Sequence, residues 1–187
     1  MKMNPEEIQK IVGIIESSNL SASQVIELIK NSSVSSKSVV NVTDEIKLAI
    51  DYTKTIEQAI ADGNYDWKNS DITTKNFPIS PEMIGKKVEV STKSFHFNRN
   101  ISSDNAISEM DKDGYRPATL MELLVFGAIH PELQRQFPIV AVGSVWRDAG
   151  VGRCVPCLDA RGGKRELNLH WLGSGWHARC HFLGVRK

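Results

Sequence analysis

Along the first part of the chain, apolar positions recur at helical spacing. Ile8, Ile11, Val12 and Ile15 form one stripe behind Pro5 and Glu6-Glu7. Val25, Ile26, Leu28 and Ile29 form a second, with Ser21 or Ser23 placed to cap it. The pattern predicts two short amphipathic helices over 4–30. The serine-rich stretch NSSVSSKSVV (31–40) reads as a linker. TDEIKLAIDYTKTIEQAIADGNYDW then predicts one longer helix or two broken ones, stopping near Asp62-Gly63-Asn64. Residues 1–74 are expected to be a helical N-terminal region, a bundle or an oligomerisation arm, with no catalytic constellation in it.

The pattern changes near residue 85. KKVEVSTKSFHFNR alternates as a strand does, and SSDNAISEMDKDG (102–114) reads as a capped helix ending at Gly114. Residues 115–138 predict a second helix, with Thr119 and Glu122 set as a capping box. FPIVAVGSVW (137–146) reads as a buried strand, and short strands with glycine-rich turns follow. One strand, two helices and then a run of strands predict an α+β domain over 75–187, its helices grouped ahead of a mostly antiparallel sheet.

Composition narrows the class. The chain has 187 residues, 41% of them hydrophobic and 24% charged, as in ordinary soluble globular proteins. No apolar run is long enough to span a bilayer, so no membrane insertion is expected. MKMNPEEIQK places acidic and amide residues where a signal peptide needs its apolar region. A cytoplasmic location is the default, with surface display through a partner left open. Three cysteines, all after residue 153, argue against a disulfide framework. Charge is uneven: residues 141–187 hold eight Lys and Arg against three acids. That basic tail is within ordinary surface variation, so nucleic acid is not the favoured partner.

Three cysteines and three of the five histidines fall in GRCVPCLDARGGKRELNLHWLGSGWHARCHF (152–182). By spacing alone, Cys154-x-x-Cys157 with His177-x-x-Cys180 is a zinc pattern, with His170 and His181 nearby. Strand geometry opposes it. Successive strand residues alternate faces, so His177 and Cys180 point to opposite sides, and His177 and His181 stand roughly 13 Å apart. Leu158 also follows the second cysteine, where a zinc ribbon has glycine. The alternation instead yields an inward apolar set: Val145, Trp146, Leu158, Leu167, Leu169, Trp171, Trp176, Phe182 and Val185. Cys180 joins it as a small hydrophobe. The intervening residues share no chemistry, neither paired carboxylates nor a Ser-His-Asp spacing nor a phosphate-binding loop. A firm scaffold bearing unrelated outward residues has the character of a binding surface.

GYRPATLMELLVFGAIHPELQRQFPIVAVGSVW, followed by R-x-VPxL, R-x-L-x-L-x-W, a further Trp and a terminal FLGVRK, resembles the variable (target) proteins of diversity-generating retroelements. The likeness is greatest to those of small-genome candidate-phyla bacteria. It covers about residues 85–187 and is most specific over 146–187. The resemblance implies a C-type-lectin-type fold, of the variety shared with formylglycine-generating enzymes. It further implies that a reverse transcriptase rewrites the gene's 3′ end with errors at template adenines, diversifying one ligand-binding face. Randomised AAC codons never yield Lys, Glu, Gln, Met or Trp. The expected variable positions Asp148, Ala149, Val151, Cys154, Asp159, Ala160, Arg161, Asn168, His170, Leu172, Ser174, His177, Arg179 and His181 all satisfy that rule. Lys164 and Glu166 do not, and are left out. Cys157 and Cys180 stand where relatives are expected to carry tyrosine.

The expectation is therefore a non-enzymatic binder of a protein or other macromolecule, with no cofactor and no metal, and with its oligomeric state open. The alternative is a zinc-stabilised nucleic-acid-binding module using Cys154, Cys157, His177 and Cys180. A weaker third reading, an oxidase related to formylglycine-generating enzymes, needs a reactive cysteine pair that the spacing does not offer.

Overall fold

A computed structural model describes residues 45–148, 150 and 152–187. The helices expected over 4–30 and the linker at 31–40 lie outside the described residues. Among the described residues the architecture is α+β. In chain order it runs β1 (Ile46–Asp51), α1 (Ile56–Gly63), β2 (Trp67–Lys68), β3 (Lys87–His96), α2 (Ser103–Lys112) and β4 (Tyr115–Pro117). It continues with α3 (Leu120–Ile129), β5 (Ile139–Val140), β6 (Trp146–Asp148), β7 (Gly152–Arg161), β8 (Lys164–Trp171) and β9 (His181–Arg186). One sheet takes in every strand, ordered β1-β3-β9-β5-β7-β8-β2, with β4 added on β9 and β6 on β7. Its pairings are antiparallel except β5–β9 and β2–β8.

Two apolar cores lie on the sheet's two faces. The first gathers Leu48 and Ile50 of β1, Ile56 and Ile60 of α1, most of α3, and Leu158, Leu167 and Leu183. The second gathers Ala106 and Met110 of α2 with Phe95, Val155, Cys157, Trp176 and Phe182. β9 lies between β3 and β5 with both faces covered, which is why His181 through Val185 are all buried. Covered strands read as continuous apolar runs, and β7 does so from Cys154 to Leu158.

Several elements form as their residues dictate. Ser102 caps α2 by accepting from Asn105 N–H at 3.3 Å. At α3, Glu122 accepts from Thr119 N–H at 2.7 Å, the reciprocal arm of a capping box. Glu122 is itself buried and clamped by Arg116 at 2.6 and 3.0 Å.

Other expectations need correction. Residues 46–51 are a strand, hydrogen-bonded along β3 from Ile46↔Thr92 to Asp51↔Lys87, and only the second half of the expected helix forms, as α1. The sheet thus takes in β1, which starts at Ile46 within the region expected to be helical. The helix expected over 115–138 is confined to 120–129, between Pro117 and Pro131. The strand expected over 137–146 is broken at Gly143. There the chain passes so near the carbonyls of Pro117 and Ala118 that a Cβ would meet them at 2.7 and 2.5 Å. Of the expected inward set, Leu158, Leu167, Trp176, Phe182 and Val185 are buried, and Trp146 and Leu169 pack on the first core. Trp171 is 55% exposed and Val145 46% exposed. Trp171 ends β8 beyond the reach of β2, and Val145 sits in the turn before β6.

Candidate functional site

β7 and β8 form a hairpin whose two-residue loop is Gly162-Gly163, at φ +57° and +79°. Two consecutive residues at positive φ suit a twisted hairpin and are open chiefly to glycine. Register from Cys154↔Trp171 to Arg161↔Lys164 fixes which side chains share a face. Cys154, Pro156 and Leu158, with Arg165, Leu167, Leu169 and Trp171, take the side of the first core. Val155, Cys157, Asp159 and Arg161, with Lys164, Glu166, Asn168 and His170, take the other. That second side is packed near Val155 and Cys157 and open toward the hairpin end, where Arg161 and Lys164 are exposed.

The hairpin is tied down from its covered side. Buried Arg165 donates to the carbonyls of Gly63 (2.7 Å) and Gly127 (2.8 Å), near the C-terminal ends of α1 and α3, and to Gln134 Oε1 (3.1 Å). The negative ends of two helix dipoles supply the counter-charge that a buried guanidinium needs. Gln134 Nε2 in turn donates to the carbonyls of Asp159 (2.7 Å) and Glu166 (3.2 Å), one on each strand.

Residues 172–180 form a loop beside the open face, held at both ends and in the middle. Leu172 N–H donates to Arg153 O at 2.8 Å, and Ser103 Oγ donates to Leu172 O at 2.7 Å. Trp176 is buried, exchanges backbone hydrogen bonds with Ile101, and donates its indole N–H to Ser103 Oγ at 2.8 Å. Ala178 N–H donates to Asn100 Oδ1 at 3.0 Å, and its carbonyl accepts from His96 Nε2 at 2.9 Å. The side chains of Ser174, His177 and Arg179 stay exposed on this fixed backbone. An open depression of about 430 Å³ lies between Asn100–Ser102 and Ser174–His177.

Asp159, Arg161, Asn168 and His170 thus share the open face, and Leu172, Ser174, His177 and Arg179 adjoin it. His170 links the two groups, its ring 6.1 Å from that of Trp176 and its Nε2 3.4 Å from Asp159 Oδ2. Leu172 is half-buried against the second core.

Of the remaining expected site residues, Cys154, Ala160 and His181 do not join them. Cys154 is buried on the opposite side, because it is four residues from Leu158 and shares its face. Ala160 takes that same side by register. His181 is buried, since the side of β9 opposite Phe182 is covered as well. It stacks on Phe137 at 3.6 Å and on His96 at 4.3 Å, and its Nδ1 is 3.0 Å from Ser94 Oγ. Burial, with His96 beside it, holds its pKa down at about 4. Asp148 pairs with Gly152 across the β6–β7 turn, and Ala149 and Val151 lie outside the described residues.

The zinc set Cys154, Cys157, His177 and Cys180 is likewise not assembled, because Cys154 and Cys157 face opposite sides of β7. Three residues on the open face were not among the expected site. Lys164 and Glu166 lie there by simple alternation with Asn168 and His170, although codon accessibility argued for leaving them out. Cys157 lies there as the cross-strand neighbour of Asn168. Cys157 Sγ, an Asp159 carboxylate oxygen and a His170 ring nitrogen all fall within 4.8 Å of one another.

Comparison with protein-family models, with curated proteins and with solved structures finds no match to this chain. No helix among the described residues is long and apolar enough to cross a membrane.

Proposed function

We propose that the chain is a variable protein of a diversity-generating retroelement. On this reading it is a C-type-lectin-type ligand binder whose open β7–β8 face and adjoining 172–180 loop are diversified to recognise a protein or other macromolecule. One observation carries the reading. Eight of the expected variable residues gather on one connected surface, while Leu167 and Trp176 between them, and Val155, Leu158 and Phe182 flanking them, are buried in the two cores. A surface held from behind in this way can change its chemistry without changing its fold, since exposed substitutions typically cost within about 0.5 kcal/mol.

The thiols favour binding over catalysis. Burial pushes both Cys157 and Cys180 up, the opposite direction from a nucleophilic or redox-active cysteine.

Sequencing the gene's 3′ end across sibling cells tests the reading. Substitutions should crowd into the codons of Asp159, Arg161, Asn168, His170, Leu172, Ser174, His177 and Arg179, with an adenine bias in a nearby near-copy repeat. An even spread along the gene, or variation without that bias, would refute it.

A further inference from the structure

We propose that Cys157, Asp159 and His170 form a binding site for a zinc-class divalent cation on the open face of the hairpin, with one coordination position left toward solvent. The site is independent of how the face came to carry these residues.

Three observations converge on it. The donors are a thiol, a carboxylate and an imidazole, the mixed S/O/N set that suits zinc and disfavours magnesium and calcium. They come from two adjacent strands yet converge within 4.8 Å. The register makes that convergence informative. His170 stands opposite Val155, four residues before Asp159 on β7, and so roughly 13 Å from it along the strand. The two side chains nevertheless approach to 3.4 Å, which requires each to lean toward the other over Cys157. The third observation is Asp159 Oδ1, which is buried and has no hydrogen-bond partner among the described residues. An orphaned buried carboxylate oxygen is costly, and a cation seated between the three groups removes the cost.

The electrostatics set how such a site behaves. A cysteine holds such an ion as its thiolate, so binding displaces the Cys157 proton. Cys157 is deep and Asp159 half-buried, while His170 is exposed. The fourth position of a tetrahedral ion therefore opens on the His170 side, where water or a donor group of a bound partner completes it.

Titration of the reduced full-length chain with cobalt(II) and then zinc(II) tests the proposal. Cobalt should bind at one equivalent with a thiolate charge-transfer band, and zinc should displace it. His170→Asn and Asp159→Asn should each weaken zinc by more than about tenfold, a loss that even outer-shell partners can cause. Both residues are at the surface or half-buried, so these variants keep the test valid if Cys157→Ser fails to fold. His177→Asn should leave affinity unchanged. The absence of a charge-transfer band in the wild-type chain overturns the proposal, as does zinc binding indifferent to His170→Asn and Asp159→Asn. A loss on Cys180→Ser as large as that on His170→Asn would replace the open three-ligand site with a closed one. None of these outcomes bears on whether the gene's 3′ end varies, which is read by sequencing alone.

Discussion

The two sides of the β7–β8 hairpin are built from the same eighteen residues of two strands and behave as different materials. On one side Leu158 and Leu167 are sealed against the first core, and Arg165 ties the strands to the ends of two helices. On the other, Asp159, Arg161, Asn168 and His170 share no chemistry, and only His170 and Asp159 bond to one another among them. Alternation along a strand is what lets these coexist: a substitution on one side leaves the packing of the other intact. The covered side specifies where the strands lie, and the open side specifies only what they present.

The sharpest way to break this division is to attack what is buried, first the second core at β9 and then the covered side of the hairpin itself. Phe182 is buried against Phe97 and Trp176, with ring centroids 5.7 Å away in each case. Phe182→Ala should lower the free energy of unfolding by about 3–5 kcal/mol, read as a shift in urea midpoint at constant slope. Arg165→Met is a close second. It keeps the volume but leaves the Gly63 and Gly127 carbonyls without their donor, at a cost of about 3 kcal/mol or more. A loss under about 1 kcal/mol would mean that the hairpin is not held from behind by this residue.

His181 tests the same division through pH. The unfolded ring takes up a proton as pH falls below its ordinary 6.5, whereas the folded ring resists until about 4. The stability gained from its neutral state is therefore complete above pH 6.5 and lost as pH falls through that window, by up to about 3 kcal/mol. Ser94, His96 and Phe137 are the groups that surround it. His181→Asn should flatten the decline between pH 6.5 and 4, with a remnant from His130, whose pKa burial also lowers. An unchanged acid limb in denaturant titrations would place His181 in water and return it to the open surface.

How much of this was legible in the sequence depends on how far each feature is local. The alternation in β3 and the caps of α2 and α3 depend on neighbours within a few residues, and they appear as expected. β1 alternates at Ile46, Leu48 and Ile50 yet carries a helical signal, because Glu45, Lys47 and Ala49 beside them are good helix formers. For Cys154 and His181, local alternation says which side a residue takes, and only topology says whether that side is covered. β9 became central through pairing with β3 and β5, far away in sequence. Arg165 was readable in principle, sharing its phase with Leu167 and Leu169, but a charged residue inside a core runs against the usual partition. The open cluster of Asp159, Arg161, Asn168 and His170 was legible because a hairpin with a two-glycine loop makes its register a local property as well.

The smallest expected effect is the most discriminating. Arg161, Asn168, His177 and Arg179 lie on the open face or its loop, and the side chains of Arg161, His177 and Arg179 are exposed. Replacing all four at once with serine removes three arginine or histidine side chains from a basic region, yet no core contact is lost. Each change should cost within about 0.5 kcal/mol, and well-separated sites add. The fourfold variant should therefore unfold within about 2 kcal/mol of the parent in urea, less than Phe182→Ala alone. A larger loss would show that these side chains support the fold, and a surface whose members support the fold cannot be redrawn at will. A near-neutral result would show that the hairpin's stability resides on its covered side, which is the physical condition any freely varied recognition face must meet.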